Sequence, residues 1–262
     1  MSTAEATRVS PEWLDLRERA DAAARSHDLV VHLRRLTTGG PLVVHDLACG
    51  SGSVGRWLAP LLPGPQHWIL HDRDPDLLAL TDVPGRDITV ETRLSDVTRL
   101  GRDELAGASV VTASALLDLL TANELDRLIQ ACAGAGCPVL LTLTVTGRVR
   151  LSPADPLDAR VAASFDQHQR RGRLLGPDAV EAAAEGFRRL GAEVVVRPSP
   201  WRLGATDCDL AAEWLIGWVD AACEQEPALA ASADLYRRRR LREAAAGALA
   251  VTVGHADLLV LP

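Results

Sequence analysis

The residues best placed to do chemistry start in one loop. The stretch HDLACGSGSVG, 45–55, holds Asp46, Gly50, Gly52 and Gly55. Glycines at this density allow backbone conformations and ligand approaches that a Cβ would forbid. By count, Gly50, Gly52 and Gly55 spell G-x-G-x-x-G, the fingerprint of dinucleotide sites. Such a loop brings a pyrophosphate to the unpaired N–H groups of the next helix. Asp46 points elsewhere. It stands four residues before Gly50, at the carboxyl end of an apolar run, where open α/β sheets bind ligands. A carboxylate there repels phosphates and suits a cofactor that carries positive charge.

Other chemistry-bearing residues follow. Asp72 ends HWILHD, 67–72, and Asp74 before Pro75 caps the next helix, which leaves Asp72 for a ligand. An acid this far past the glycines is also expected of NAD enzymes, so Asp72 alone does not choose between cofactors. Asp96 lies in LSDVTRL, and Ser114 and Asp118 follow the apolar run ASVVTAS. FDQHQRR, 165–171, offers His168 as a general base, with Arg160 or Arg170 for an anionic acceptor; a solvated helix face would read the same way. Asp118 is the second base candidate. Trp201 in PWRLG and His255 in GHADLL are candidates for lining the acceptor pocket. His67 and His71 are four apart on a strand, about 13 Å from each other, and no other cluster has ligand spacing, so no metal is expected. Cys49 reads as a small packing residue.

These residues need elements to hold them. Ser10-Pro11 starts a helical stretch that Gly39-Gly40-Pro41 stops. From there, apolar runs alternate with helical segments: strands at PLVVHDLA, HWILHD, ITVETRL, ASVVTAS and CPVLLTLTV, with Thr121 and Glu124 forming a capping box before the fifth. This succession predicts a parallel sheet with helices on both faces. A sixth strand is expected at AEVVVRP, then helices over 207–247, then a last strand in ALAVTVGHADLLVLP. The expected organisation is an N-terminal helical extension, 1–40, and one domain, 41–262. Within that domain lie an acceptor-side segment at 146–176 and a helical insertion at 205–248.

VVHDLACGSGSVGRWLA resembles motif I of the class I, Rossmann-like methyltransferases, often written D-L-G-C-G-x-G, with Ala48 where the first glycine usually stands. WILHDRDPDLL, LSDVTRL and VVTASALLDLL resemble the second, third and fourth motifs in order, and the likeness covers roughly 41–145. PWRLG and GHADLL are similar to a pattern in an uncharacterised bacterial branch. The resemblance implies a seven-stranded, mainly parallel α/β sheet with the last strand antiparallel, and S-adenosylmethionine as cofactor. By that resemblance Asp46, Ala48, Gly50 and Gly52 cradle the cofactor and Asp72 accepts the ribose hydroxyls. Arg73 flanks the adenine, Asp96 and Val97 meet its amino group and ring, and Ser114 lines the passage to the acceptor.

Bulk composition narrows the partners. The chain has 262 residues, 47% hydrophobic, with net charge −7. All 28 basic residues are Arg, a compositional bias that weakens any reading of a single Arg as a phosphate clamp. The acidic balance counts against nucleic acid and anionic membranes, and YRRRRLR, 236–242, reads as a solvated helix face. Five cysteines without a C-x-x-C suit a reducing cytoplasm, and neither a signal peptide nor a membrane-spanning run is expected. The expectation is a methyltransferase acting on a small molecule. The alternatives are an NAD(P)-dependent oxidoreductase and a methyltransferase fold that binds without catalysing transfer.

Overall fold

A computed structural model describes residues 9–37 and 39–262. Residues 1–8, where the expected N-terminal extension begins and part of the stretch read as lacking a signal peptide, lie outside the described residues, as does Thr38.

Helix α1 (Pro11–Ala24) starts as its sequence requires: the Ser10 hydroxyl accepts the Trp13 N–H and Pro11 takes the first turn. Helix α2 is His27–Leu36. The chain then alternates β1 (Leu42–Leu47), α3 (Ser53–Leu58), β2 (Gln66–Asp72), α4 (Pro75–Leu78), β3 (Ile88–Leu94), β4 (Val110–Ser114), α5 (Ala122–Ala135) and β5 (Val139–Ser152). The second half runs α6 (Asp158–Gln169), α7 (Ala179–Arg189), β6 (Glu193–Pro198), β7 (Trp201–Leu203), α8 (Cys208–Gln225), α9 (Ala230–Ala245) and β8 (Ala250–Leu261).

Seven strands cross the sheet in the order β3-β2-β1-β4-β5-β8-β6. The first five are parallel; β8 runs antiparallel to both β5 and β6. The strand order reverses between β1 and β4, the place at whose carboxyl ends a doubly wound sheet puts its ligand. The fold class is as expected, with two differences. WRL forms an additional short strand, β7, which continues the β6 edge along β8. Residues 146–152, expected to open the acceptor-side segment, instead prolong β5, because β8 is long enough to pair with them after two register shifts.

Alternation sorts the side chains. Leu47, Val111, Leu141 and Leu258 face α5 and α7, while Val44, Val110, Leu140 and Leu259 face α2 and α3. A third core joins α6, α8 and α9 to the far ends of β5, β7 and β8, and α1 packs against it through Trp13, Leu16 and Ala20. Thr121 and Glu124 close the α5 capping box, and Asp74 caps α4, as expected.

Candidate functional site

The glycine loop leaves β1 with a sequence of left-handed residues. Ala48 has φ 54°, Gly50 57° and Gly52 88°. Ala48 therefore holds the conformation that a glycine would take freely, at a cost of about 1–2 kcal/mol. Ala115, just past β4, and Leu143, in the β5 irregularity, are also left-handed, at 51° and 56°. Three non-glycine residues in this state at the ends of β1 and β4 and in adjacent β5 mark a strained rim, and strain of this kind concentrates at functional sites. Gly55, third in the dinucleotide count, has a packing role instead: a Cβ there would come 2.4 Å from a Val83 methyl.

Asp46 is 1% exposed and neither of its carboxylate oxygens has a hydrogen-bond partner. Burial pushes its pKa up to about 8; Arg25 pulls it down and Asp72 adds to the rise. Asp72 is also buried, and accepts the Gly50 N–H at 2.8 Å and the Asp74 N–H at 2.9 Å. A carboxylate offers about four lone-pair positions, so two acceptor positions remain on Asp72.

Helix α1 lies over this loop. Leu14 is 3.3 Å from where a Gly50 Cβ would stand. Glu18 receives both Nε and Nη2 of Arg56, whose Nη1 reaches the Ser51 carbonyl. Trp13, Arg17, Asp21 and Arg25 recur every four residues on the helix and its C-cap. Arg25 is 2% exposed; its Nη2 donates to the hydroxyls of Ser53 (3.1 Å) and Ser114 (3.2 Å), its Nε has no partner, and its guanidinium covers Trp57. Arg17 forks onto Asp21 and stacks 4.9 Å from Trp201, whose indole N–H also goes to Asp21.

Trp201 and His255 come together, with ring centroids 5.3 Å apart, and Trp13 lies 6.4 Å from Trp201. His255 Nδ1 is buried without a partner, and burial, followed by the charge of Arg17, lowers its pKa to about 3. Asp118 has one buried, unpartnered oxygen; burial raises its pKa to about 6, against the pull of a backbone hydrogen bond and Arg17. Both groups thus sense Arg17. Ser114 joins the loop through Arg25.

The remaining candidates sit differently. Val97 is buried as the first residue of the 3-10 turn that Asp96 caps through the Thr98 N–H. Arg73 is exposed. His168 lies on the α6–α8 seam, Nε2 on Glu224 and Nδ1 on Arg171, both at 3.0 Å. Arg160 pairs with Glu226 and Arg170 forks onto Asp178. Cys49 is buried and its thiol is pushed up by burial, as a packing residue should be. Among the described residues no cluster of three metal-ligating side chains occurs, and no helix is long and apolar enough to cross a membrane.

Two groupings escaped sequence reasoning. The α1 stripe was signalled by the four-residue spacing of Trp13, Arg17, Asp21 and Arg25, which apolar periodicity passes over. On the opposite sheet face, His45 Nδ1 and His71 Nε2 are 3.0 Å apart with stacked rings, and His71 Nδ1 meets the Ser95 hydroxyl. The relevant partner of His71 is thus across the β1–β2 ladder and not His67.

No family model and no curated protein sequence matches the chain. Among solved structures it is similar to the cyclopropane synthase MmaA2 from Mycobacterium tuberculosis, at TM-score 0.51 and 12% identity over 97% of this chain and 95% of that one. It is also similar to SAM-dependent methyltransferases from Geobacter sulfurreducens (TM-score 0.46, 15% identity, 97% and 98% covered) and Thiobacillus denitrificans (0.47, 14%, 98% and 100%), both solved with S-adenosylhomocysteine. The first likeness shows the fold, that of the class I methyltransferases.

Proposed function

We propose that this chain is an S-adenosylmethionine-dependent methyltransferase acting on a small-molecule acceptor. The observation that carries the reading is Asp46, a carboxylate buried beside the glycine loop with both oxygens unbonded. A buried polar group left this way is costly unless a ligand completes it. An ammonium does so; a pyrophosphate does the reverse, which disfavours the NAD(P) alternative. Arg25, close enough to lower the Asp46 pKa, supplies the opposite charge. Together they match the ammonium and carboxylate of an amino-acid zwitterion. The two acceptor positions left on Asp72 match a pair of ribose hydroxyls.

When bound, the cofactor supplies an electrophilic methyl group on a sulfonium. The protein's contribution is positioning and exclusion of water. Asp46, Arg25 and Asp72 fix the two ends of the cofactor, and α1 covers the loop. Trp201, His255 and Trp13 offer an apolar wall for the acceptor. Asp118 is the better placed base for an acceptor that must lose a proton: its pKa of about 6 lets it accept one near neutrality, and it shares the Arg17 neighbourhood with His255. Both ring nitrogens of His168 are already engaged. A small-molecule acceptor is favoured over nucleic acid because the basic run on α9 is spent internally: Arg237 pairs with Asp220, Arg239 with Asp155 and Arg240 with Asp158.

Calorimetry with S-adenosylhomocysteine tests the cofactor. Binding is expected with release of a proton from Asp46, and so to tighten as pH rises towards about 8. Tight NADH binding without a response to S-adenosylhomocysteine would overturn the reading. Cofactor-dependent methyl incorporation into the small-molecule fraction of a cell extract, lost in Asp118→Asn, tests the acceptor class and the base.

A further inference from the structure

Strand β3 ends the sheet, and among the described residues no strand pairs with its outer edge. Its faces are as bare as its edge. Helix α4 before it is a single turn, 3-10 turns follow it, and Val90 and Leu94 are 42% and 65% exposed. A long open edge with apolar side chains is a template for another strand.

The ladder with β2 shows which backbone groups are open. Gln66 N–H donates to the Asp87 carbonyl and Ser95 N–H to the Asp72 carbonyl. Odd-numbered residues of β3 therefore face β2, and the N–H and C=O groups of Val90, Thr92 and Leu94 point away.

We propose that this edge binds a second copy of the chain, the two β3 strands running antiparallel about a two-fold axis through Thr92. In this register Thr92 meets its own copy, Val90 meets Leu94, and Glu91 meets Arg93 in both directions. A shift of the axis by one residue sets Glu91 against Glu91 or Arg93 against Arg93. The charge order E-T-R thus favours this register over its nearest neighbours. Glu91 and Arg93 fall in the pairs without backbone hydrogen bonds, where side chains come closest. They already form an ion pair of 2.6 Å along the strand, and joining two copies makes a ring of four alternating charges. On the other face Val90 and Leu94 cover each other. The axis reverses the strands, so the two glycine loops lie at opposite ends of one continuous sheet.

Sedimentation of the full chain tests this. A dimer is expected at micromolar concentration. Glu91→Arg or Arg93→Glu alone should weaken it about tenfold, from two like-charged contacts in place of two opposite ones. The two changes together should restore it. Thr92→Cys, in a chain with Cys208→Ser and Cys223→Ser, should form a disulfide-linked dimer on mild oxidation, and Val90→Cys should not. A monomeric wild type overturns the proposal. So does a dimer indifferent to the single swaps, or a double swap that stays monomeric with a native circular-dichroism spectrum.

Discussion

In the lobe built by α6, α8 and α9, Arg240 is 1% exposed with Asp158, Glu243 and the Pro153 carbonyl around its terminal nitrogens. At the end of β1, Asp46 is just as deeply buried, with neither oxygen bonded. The lobe pairs its buried charge within the chain, with only the Arg240 Nε left over. Asp158 also takes the Tyr236 hydroxyl, and Glu226 takes Arg160 and Ser164. The loop half leaves charge-bearing and titratable groups uncompensated: Asp46, one oxygen of Asp118 and the Nδ1 of His255. Even a neighbouring aspartate shows the contrast. Asp257 is fully buried, yet it receives the N–H groups of Ser26 and Leu143 and the Ser199 hydroxyl. Buried ionisable groups with partners hold elements together; in the proposed function, the buried acid without them is the group a ligand completes.

Acid should separate the two regions most. His45 and His71 are each pushed down to about 4, by burial first. Their folded pKa lies below the unfolded value of about 6.5, so the unfolded chain binds more protons between the two. The stability these two histidines contribute is thus fully present above pH 6.5 and falls as pH drops towards about 4, while Asp46, whose folded pKa of about 8 lies above the unfolded carboxylate value, contributes in the opposite sense as pH falls. In an Asp46→Asn chain, which removes the opposing titration, amide hydrogen exchange should rise on acidification in β1 and β2 before it rises in α8 and α9. His45→Leu should flatten the dependence; an equal loss across both regions would blur the contrast.

The next largest effect is expected in the lobe. Asp158→Ala leaves Arg240 its bonds to Glu243 and the Pro153 carbonyl but takes the partner from its Nη2 and from the Tyr236 hydroxyl, and should cost about 2–3 kcal/mol in urea unfolding. Asp46→Asn and Asp72→Ala should each weaken S-adenosylhomocysteine binding by about 1–3 kcal/mol. Of the two, only Asp46→Asn should leave stability unchanged or higher, because it removes an uncompensated carboxylate. A destabilised Asp46→Asn chain would make Asp46 a structural group like Asp257. The smallest effect is at Ala48, where Ala48→Gly relieves a left-handed residue and should stabilise by about 1 kcal/mol in thermal melts.

What the sequence reveals follows the range of each interaction. Asp46 to Gly52 is a run of seven residues, and the caps at Ser10, Asp74 and Thr121 act within three residues of themselves, so the loop and its flanking elements are readable. Arg25 is not, because its meaning comes from Ser114, 89 residues away. Nor is the run at 236–242, expected to be solvated. Arg240 is buried because α9 packs where Asp158, 82 residues earlier, can meet it. One departure from the family pattern, Ala48, is legible as a substitution, and its left-handed backbone appears only in three dimensions.

The placement of α1 has a kinetic consequence. Leu14 rests on Gly50, Glu18 holds Arg56, and Arg17 and Trp201 share Asp21. A molecule that reaches the loop from the α1 side parts these contacts. On the proposed function, turnover would then be timed by the opening of this helix, with the chemical step waiting on exchange.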